Sequence, residues 1–433
     1  MSHHMSRTII SIILFCLSFR LLQGSIEDPA GYSNTIFDKR IKTVQLYREG
    51  WNLSYPLINL NSDEKLVLHF DLLDDQAETY YYTFVHCSKD WEKSDIFIND
   101  YLEGFPENEI EDFKPSFNTT VDYIHYKLIF PNDRIKITLP GNYILCVYPY
   151  GNPDKPVLTR RFIVTEDAAK IDMKIHRPQM TSENNTSQQV DLTVSISGLN
   201  IIDPYRNIYS FILQNGRWNN AKKNLVPDFY GSAVLEYSSL SEKNIFNGGN
   251  EFRYFDIKSI RYLSEFIKKI DFRPPNYHVL LTPDDNREFK PYFYTQDFNG
   301  KYYIAVQEGR DPDTDADYVY VYFTLPSEYE LTNGKMYVSG GLADWSFNEN
   351  NLMVFNPVQQ QYECTMLLKQ GWYNYEYVLL RYGDQEGVAS KFEGSHYETE
   401  NDYMALVYYR NPRDRYDRVI GTGTANTLNR LTR

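Results

Sequence analysis

His86 and Cys87 are the one place where a thiol and an imidazole stand side by side, as a cysteine nucleophile and its base would. The run Tyr80–His86 reads as a strand, and successive strand side chains point to opposite faces, so the two do not form a dyad. Cys87 is expected in the core and His86 at its rim. Asp311, Asp313, Asp315 and Asp317 alternate like the ligands of a calcium loop. An EF-hand needs Gly at position six and Glu at twelve, where Ala316 and Tyr322 stand. A solvated interdomain linker is the preferred reading, with an irregular calcium site as the alternative. Asp71, Asp74 and Asp75 would offer carboxylates for glycoside hydrolysis. They fall at a strand end and turn, with no second acid cluster across a cleft. There is no G-x-S-x-G elbow, Walker loop, H-E-x-x-H or C-x-x-C pair. The residues predict no catalytic set, no cofactor and no metal ligands.

The elements that would position any site are strands. Aromatics make up 16% of the 433 residues, and 38 of them are Tyr, a bias that suits pleated sheet surfaces. The net charge of −14 argues against nucleic acid and against anionic lipid, both of which want dense Lys and Arg. Arg7, the apolar run Ile9–Phe19 and the cut offered by Leu22-Gln23-Gly24 read as a signal peptide over residues 1–24. Phe15 before Cys16 speaks against lipidation. Nothing else is long and apolar enough to span a bilayer, and mean hydropathy is −0.52. Cleavage leaves Cys87, Cys146 and Cys364, an odd number that cannot be a full disulfide framework. Buried thiols are the preferred reading, with a Cys87–Cys146 pair as the alternative.

Short strand-like runs punctuated by turn residues predict an all-β chain of three tandem immunoglobulin-like β-sandwich domains. The expected divisions are residues 25–165, 166–310 and 311–433, the last with a polar tail that frays beyond Gly421. Ile257–Ile270 fits a helical stripe and a strand about equally, and the surrounding turns favour the strand. Within the first domain, the runs Tyr80–His86 and Tyr123–Phe130 are separated by an acidic, aromatic segment of about forty residues. That is too long for a hairpin, and loops of this length are usually functional. The segment is expected to be a binding surface on a sandwich edge.

Two resemblances sharpen this. Residues 340–353, GGLADWSFNENNLM, followed by GWYNYEYVL at 371–379, resemble the glycogen-binding and debranching-enzyme N-terminal modules. That resemblance implies glycan stacking by Trp345 and Trp372, and an exported carbohydrate-binding protein as the alternative function. The central segment resembles the type IX secretion system plug protein family of Bacteroidota. The matching residues are His86-Cys87 to Trp91 and Ser94, Asp100-Tyr101-Leu102-Glu103-Gly104-Phe105, Ser116-Phe117-Asn118-Thr119, Tyr123 to His125-Tyr126, and Phe130-Pro131-Asn132. Gly141-Asn142-Tyr143, Arg160-Arg161-Phe162 and residues 394–421 continue the match. This resemblance implies a non-enzymatic periplasmic protein, monomeric within a hetero-complex, that seals the outer-membrane β-barrel translocon from below. Trp91, Tyr101, Phe105 and Phe117 are its candidate interface residues.

Overall fold

The computed structural model describes residues 32–178, 183–231, 233–238 and 243–430, so the expected signal peptide at 1–24 lies outside the described residues. The β-branched and aromatic content does what its propensity predicts. The described chain is all-β, its α-helices no longer than four residues.

Two sheets face each other in the first sandwich. One runs in the order Thr35–Ile36, Leu158–Thr165, Gly141–Pro149, Tyr80–Cys87 and Asn108–Glu109, with Leu57–Asn59 added parallel to Leu158–Thr165. The other runs Ile41–Arg48, Leu66–Leu72, Ile124–Phe130 and Asp112–Pro115. Leu68, Phe70, Tyr82, Phe84, Phe130 and Phe162 fill the space between them. The rings of Phe84, Phe130 and Phe162 meet at 4.9–5.4 Å in the tilted and edge-on contacts their quadrupoles favour.

The first of these sheets is buried on its outer face too. Val85, Cys87, Ile144, Cys146 and Ile163 pack there against Phe211, Leu213, Leu406, Tyr408 and Val419. Burial on both faces explains why YYYTFVHC is apolar or aromatic at nearly every position rather than alternating. Cys87 does face away from His86, into this second core. Cys146 is a free buried thiol that stands opposite Thr83, not Cys87, in the strand register.

The other two cores divide the chain differently from a break at 310. Ile208–Gln214 pairs with Asp402–Tyr409, which pairs with Arg418–Asn426, and this sheet covers Lys170–His176, Ser187–Ser195 and Val234–Tyr237. Arg253–Asp256 pairs with Gly371–Arg381, and Asn276–Leu281 runs parallel to Tyr318–Pro326, over a core built from residues 255–392. The third sandwich is therefore set between two stretches that together build the second. The tail also departs from expectation. Val419 and Ile420 are buried, and Arg418–Asn426 is a full antiparallel partner rather than a frayed end. Ile257–Ile270 contains no helix; the strand Ile267–Arg273 starts near its end.

Candidate functional site

The segment from Ser88 to Asp122 crosses from one sheet of the first sandwich to the other. It is not a free loop. Asn108–Glu109 extends the first sheet and Asp112–Pro115 forms the edge of the second. Its entry is a closed turn in which Ser88 donates its N–H to Glu92, Trp91 donates to Ser88 and Ser94 donates to His86. His86 Nδ1 lies 2.8 Å from Ser94 Oγ and Nε2 faces the Pro140 carbonyl. Burial pushes its pKa down to about 4, so the ring is neutral. Gly141 must be glycine, because a Cβ there would lie 2.3 Å from His86 Nε2. Much of the histidine–cysteine motif is thus devoted to shaping this turn.

The four candidate interface residues separate into two pairs. Trp91 and Tyr101 are each only 5% exposed. Trp91 meets Trp218 edge-on at 5.0 Å and carries the Arg161 guanidinium 4.3 Å from its ring, between the first and second sandwiches. Tyr101 donates its hydroxyl proton to the Phe84 carbonyl at 3.2 Å. Each spends its surface inside the chain, which residue type and spacing cannot reveal. Phe105 and Phe117 are each 71% exposed. Phe97 and Phe113, which lie outside the motif positions, join them in the open. Their signal in the sequence is a bulky apolar residue amid acids. Phe105 donates its N–H to Arg134, beyond the Phe130 end of the strand Ile124–Phe130, and Phe117 donates to Thr314 at the Ile124 end. The two therefore lie off opposite ends of the strand Ile124–Phe130, with Phe113 on the edge strand beside it.

The glycan candidates are part-buried. Trp345 packs edge-on against Phe252 at 5.8 Å, abuts Gly300 and lies 5.1 Å from the Arg217 guanidinium. It lines a cavity of about 200 Å³ where the three sandwiches meet, with Trp91, Arg161, Trp218 and Lys301 also in its wall. Trp372 stacks between Tyr254 and Tyr303 at 5.4 and 6.2 Å.

The acids that suggested chemistry have structural duties. Asp315 and Asp317 accept backbone N–H groups: Asp315 from Arg310 and Asp311, Asp317 from Thr120, Val121 and Tyr318. The run 311–317 is therefore a dock for the central segment rather than a solvated linker. Asp71 is not a turn residue either. It is fully buried and accepts from Lys369 Nζ and the Tyr318 hydroxyl at 2.7 Å each, and His125 Nδ1 lies 2.6 Å away. Burial alone would raise its pKa; the Lys369 ammonium and His125 outweigh that and hold it below the usual carboxylate range. His125 Nε2 and His69 Nδ1 then face each other at 2.9 Å, with the Asp313 carboxylate beside them. Sequence spacing gave no warning of this meeting, since the three residues sit on three separated stretches.

Three other buried acids carry a pH dependence. Desolvation raises Glu251 and Glu376 to about 7 and Asp297 to about 8. Their folded pKa values lie above the unfolded ones, so the native state holds protons the unfolded state has lost. Stability is then fully present at low pH and is lost as pH rises through the folded values. Buried His86 acts in the opposite sense, but only below its unfolded value of 6.5. Lys301, lowered by burial to about 8, opposes the trend only above that. Urea midpoints are therefore expected to fall between pH 6.5 and 8, by at most about 1.4 kcal/mol per pH unit for each titrating acid. A flat or rising profile across that window would contradict the burial of these carboxylates.

No helix among the described residues is long and apolar enough to cross a membrane. Residues 41–166 match the type 9 secretion system plug protein 1st domain. The crystal structure of a hypothetical protein from Parabacteroides merdae ATCC 43184 is 34% identical, covers 92% of this chain and 100% of its own, and superposes with a TM-score of 0.88. The Pseudomonas fluorescens alkylpurine DNA glycosylase AlkC, bound to DNA containing an abasic site analog, is 10% identical over 29% of this chain and 30% of its own; its TM-score of 0.17 carries no argument. No curated protein matches. With the plug domain laid over the sandwich that carries the exposed aromatic edge, the chain belongs to the type 9 secretion system plug protein family.

Proposed function

We propose that this protein is a non-enzymatic plug that sits at the periplasmic face of the outer membrane and seals the β-barrel translocon of the type IX secretion system. The observation that carries this reading is the match of residues 41–166 to the plug domain. Two features support it. The groups that would do chemistry in that domain, His86, Cys87 and Asp71, are buried and engaged in holding the fold. The exposed Phe97, Phe105, Phe113 and Phe117 give the same domain large apolar contacts, which suit a protein interface. An acidic chain with aromatic contacts reads as a stopper held by shape and apolar area rather than by charge.

A tagged copy in the native host should co-purify with the outer-membrane translocon. A strain lacking the gene should admit large hydrophilic solutes across its outer membrane. Unchanged permeability together with an empty pull-down would remove the proposal. Intact cells treated with protease should leave the protein uncut, as expected on the periplasmic side, whereas cleavage would place it outside the cell.

A further inference from the structure

We propose that His69 Nδ1, His125 Nε2 and the Asp313 carboxylate form a binding site for a divalent transition-metal ion of the zinc class, which pins the first sandwich to the third. His69 and His125 come from the neighbouring strands Leu66–Leu72 and Ile124–Phe130, offset so that His69 stands opposite Lys127 and His125 opposite Asp71. Asp313 comes from the short helix Pro312–Asp315 that precedes the first long strand of the third sandwich. The three donor atoms lie within 4.8 Å of one another.

The geometry of the three donors and of the carboxylate behind them makes the case. Asp71 already accepts from Lys369 and Tyr318, so toward His125 it also acts as an acceptor, which puts the His125 proton on Nδ1. His125 Nε2 is then the ring nitrogen turned toward His69 and Asp313. This carboxylate–histidine arrangement is the one that orients histidine ligands and raises their basicity. His125 Nε2 faces His69 Nδ1 at 2.9 Å and an Asp313 oxygen at 3.5 Å, and His69 Nδ1 lies 3.8 Å from the other Asp313 oxygen. His69 Nδ1, His125 Nε2 and the Asp313 carboxylate thus converge on one point. A cation at their centre would satisfy all three. A tetrahedral ion with bonds of about 2.0–2.1 Å keeps its donors roughly 3.3 Å apart, so the observed spacings of 2.9, 3.5 and 3.8 Å straddle that value. Two imidazoles and one carboxylate favour zinc, cobalt or nickel over calcium and magnesium, which prefer all-oxygen shells. The Asp313 side chain is 33% exposed, which opens a path for entry and leaves room for a water ligand.

The test uses the purified full chain, stripped of metal with a chelator and dialysed against Zn²⁺ and, separately, Co²⁺. The expected result is one equivalent bound, a visible-range cobalt spectrum of tetrahedral type and a raised Tm with Zn²⁺ but not with Mg²⁺. Asp313→Asn should bind at least about tenfold more weakly, while its metal-free Tm stays at the wild-type value because the Asp313 carbonyl that receives Lys369 is kept. His69→Gln should show the same loss. Stoichiometric absence of binding, or variants that hold zinc as tightly as wild type, would overturn the site.

Discussion

Asp71→Ala is expected to cost about 3–5 kcal/mol of stability, the largest effect of any single substitution considered. The carboxylate is fully buried and neutralises Lys369, whose ammonium is itself only 1% exposed. Removing it leaves that charge with the Asp313 carbonyl and the face of Tyr123, 4.1 Å from the nitrogen, as its remaining neighbours. The Tyr318 hydroxyl loses an acceptor in the same step, keeping Thr43 at 2.5 Å. Because Asp71 belongs to the first sandwich and Lys369 and Tyr318 to the third, the loss also loosens the two relative to each other. Urea denaturation followed by tryptophan fluorescence measures it. Adding Lys369→Met to Asp71→Ala should recover part of the loss, since an apolar pair has no stranded charge. A single variant within about 1 kcal/mol of wild type would show that the buried ion pair does not couple the sandwiches.

Replacing both Phe105 and Phe117 by Asp should leave the Tm unchanged, because each ring is 71% exposed and little packing is lost. On the plug reading, the same change should abolish capture of the translocon from detergent-solubilised outer membranes. A buried aromatic anchor contributes about 2 kcal/mol or more to an interface, roughly thirtyfold in affinity for each ring, and a carboxylate in its pocket adds a desolvation cost. Trp91 and Tyr101 serve as the contrast. Their substitution by Ala should lower the Tm first, because they pack inside the chain. If the doubly substituted protein still binds at wild-type strength, the aromatic edge of the first sandwich is not the contacting face.

The outcome for the four candidate residues shows where sequence reasoning stops. His86 to Asn132 carries a recognisable pattern, but a pattern records which residue types stand at which spacing, not which way they point. Trp91 and Phe105 fit the motif equally well. One sits at a backbone φ of 65° beneath Arg161, and the other hangs off a strand end. The acid run 311–317 misled for a similar reason. Its alternation resembles a calcium loop or linker, while one of its carboxylates, Asp317, is matched to backbone N–H groups about 200 residues away, at Thr120 and Val121.

What the residues determined by themselves was local. The strand at Tyr80–His86, the opposite facing of His86 and Cys87 and the β character of the chain all follow from side chains a few positions apart. Tertiary structure alone decided that Ile208–Gln214 joins Asp402–Tyr409, that Asp71 finds Lys369, and that His69, His125 and Asp313 converge. The physical reason is that strands pair through backbone N–H and C=O groups, which every residue but proline carries alike. A strand's own residues set its faces, while its neighbour is chosen by the packing of the whole chain.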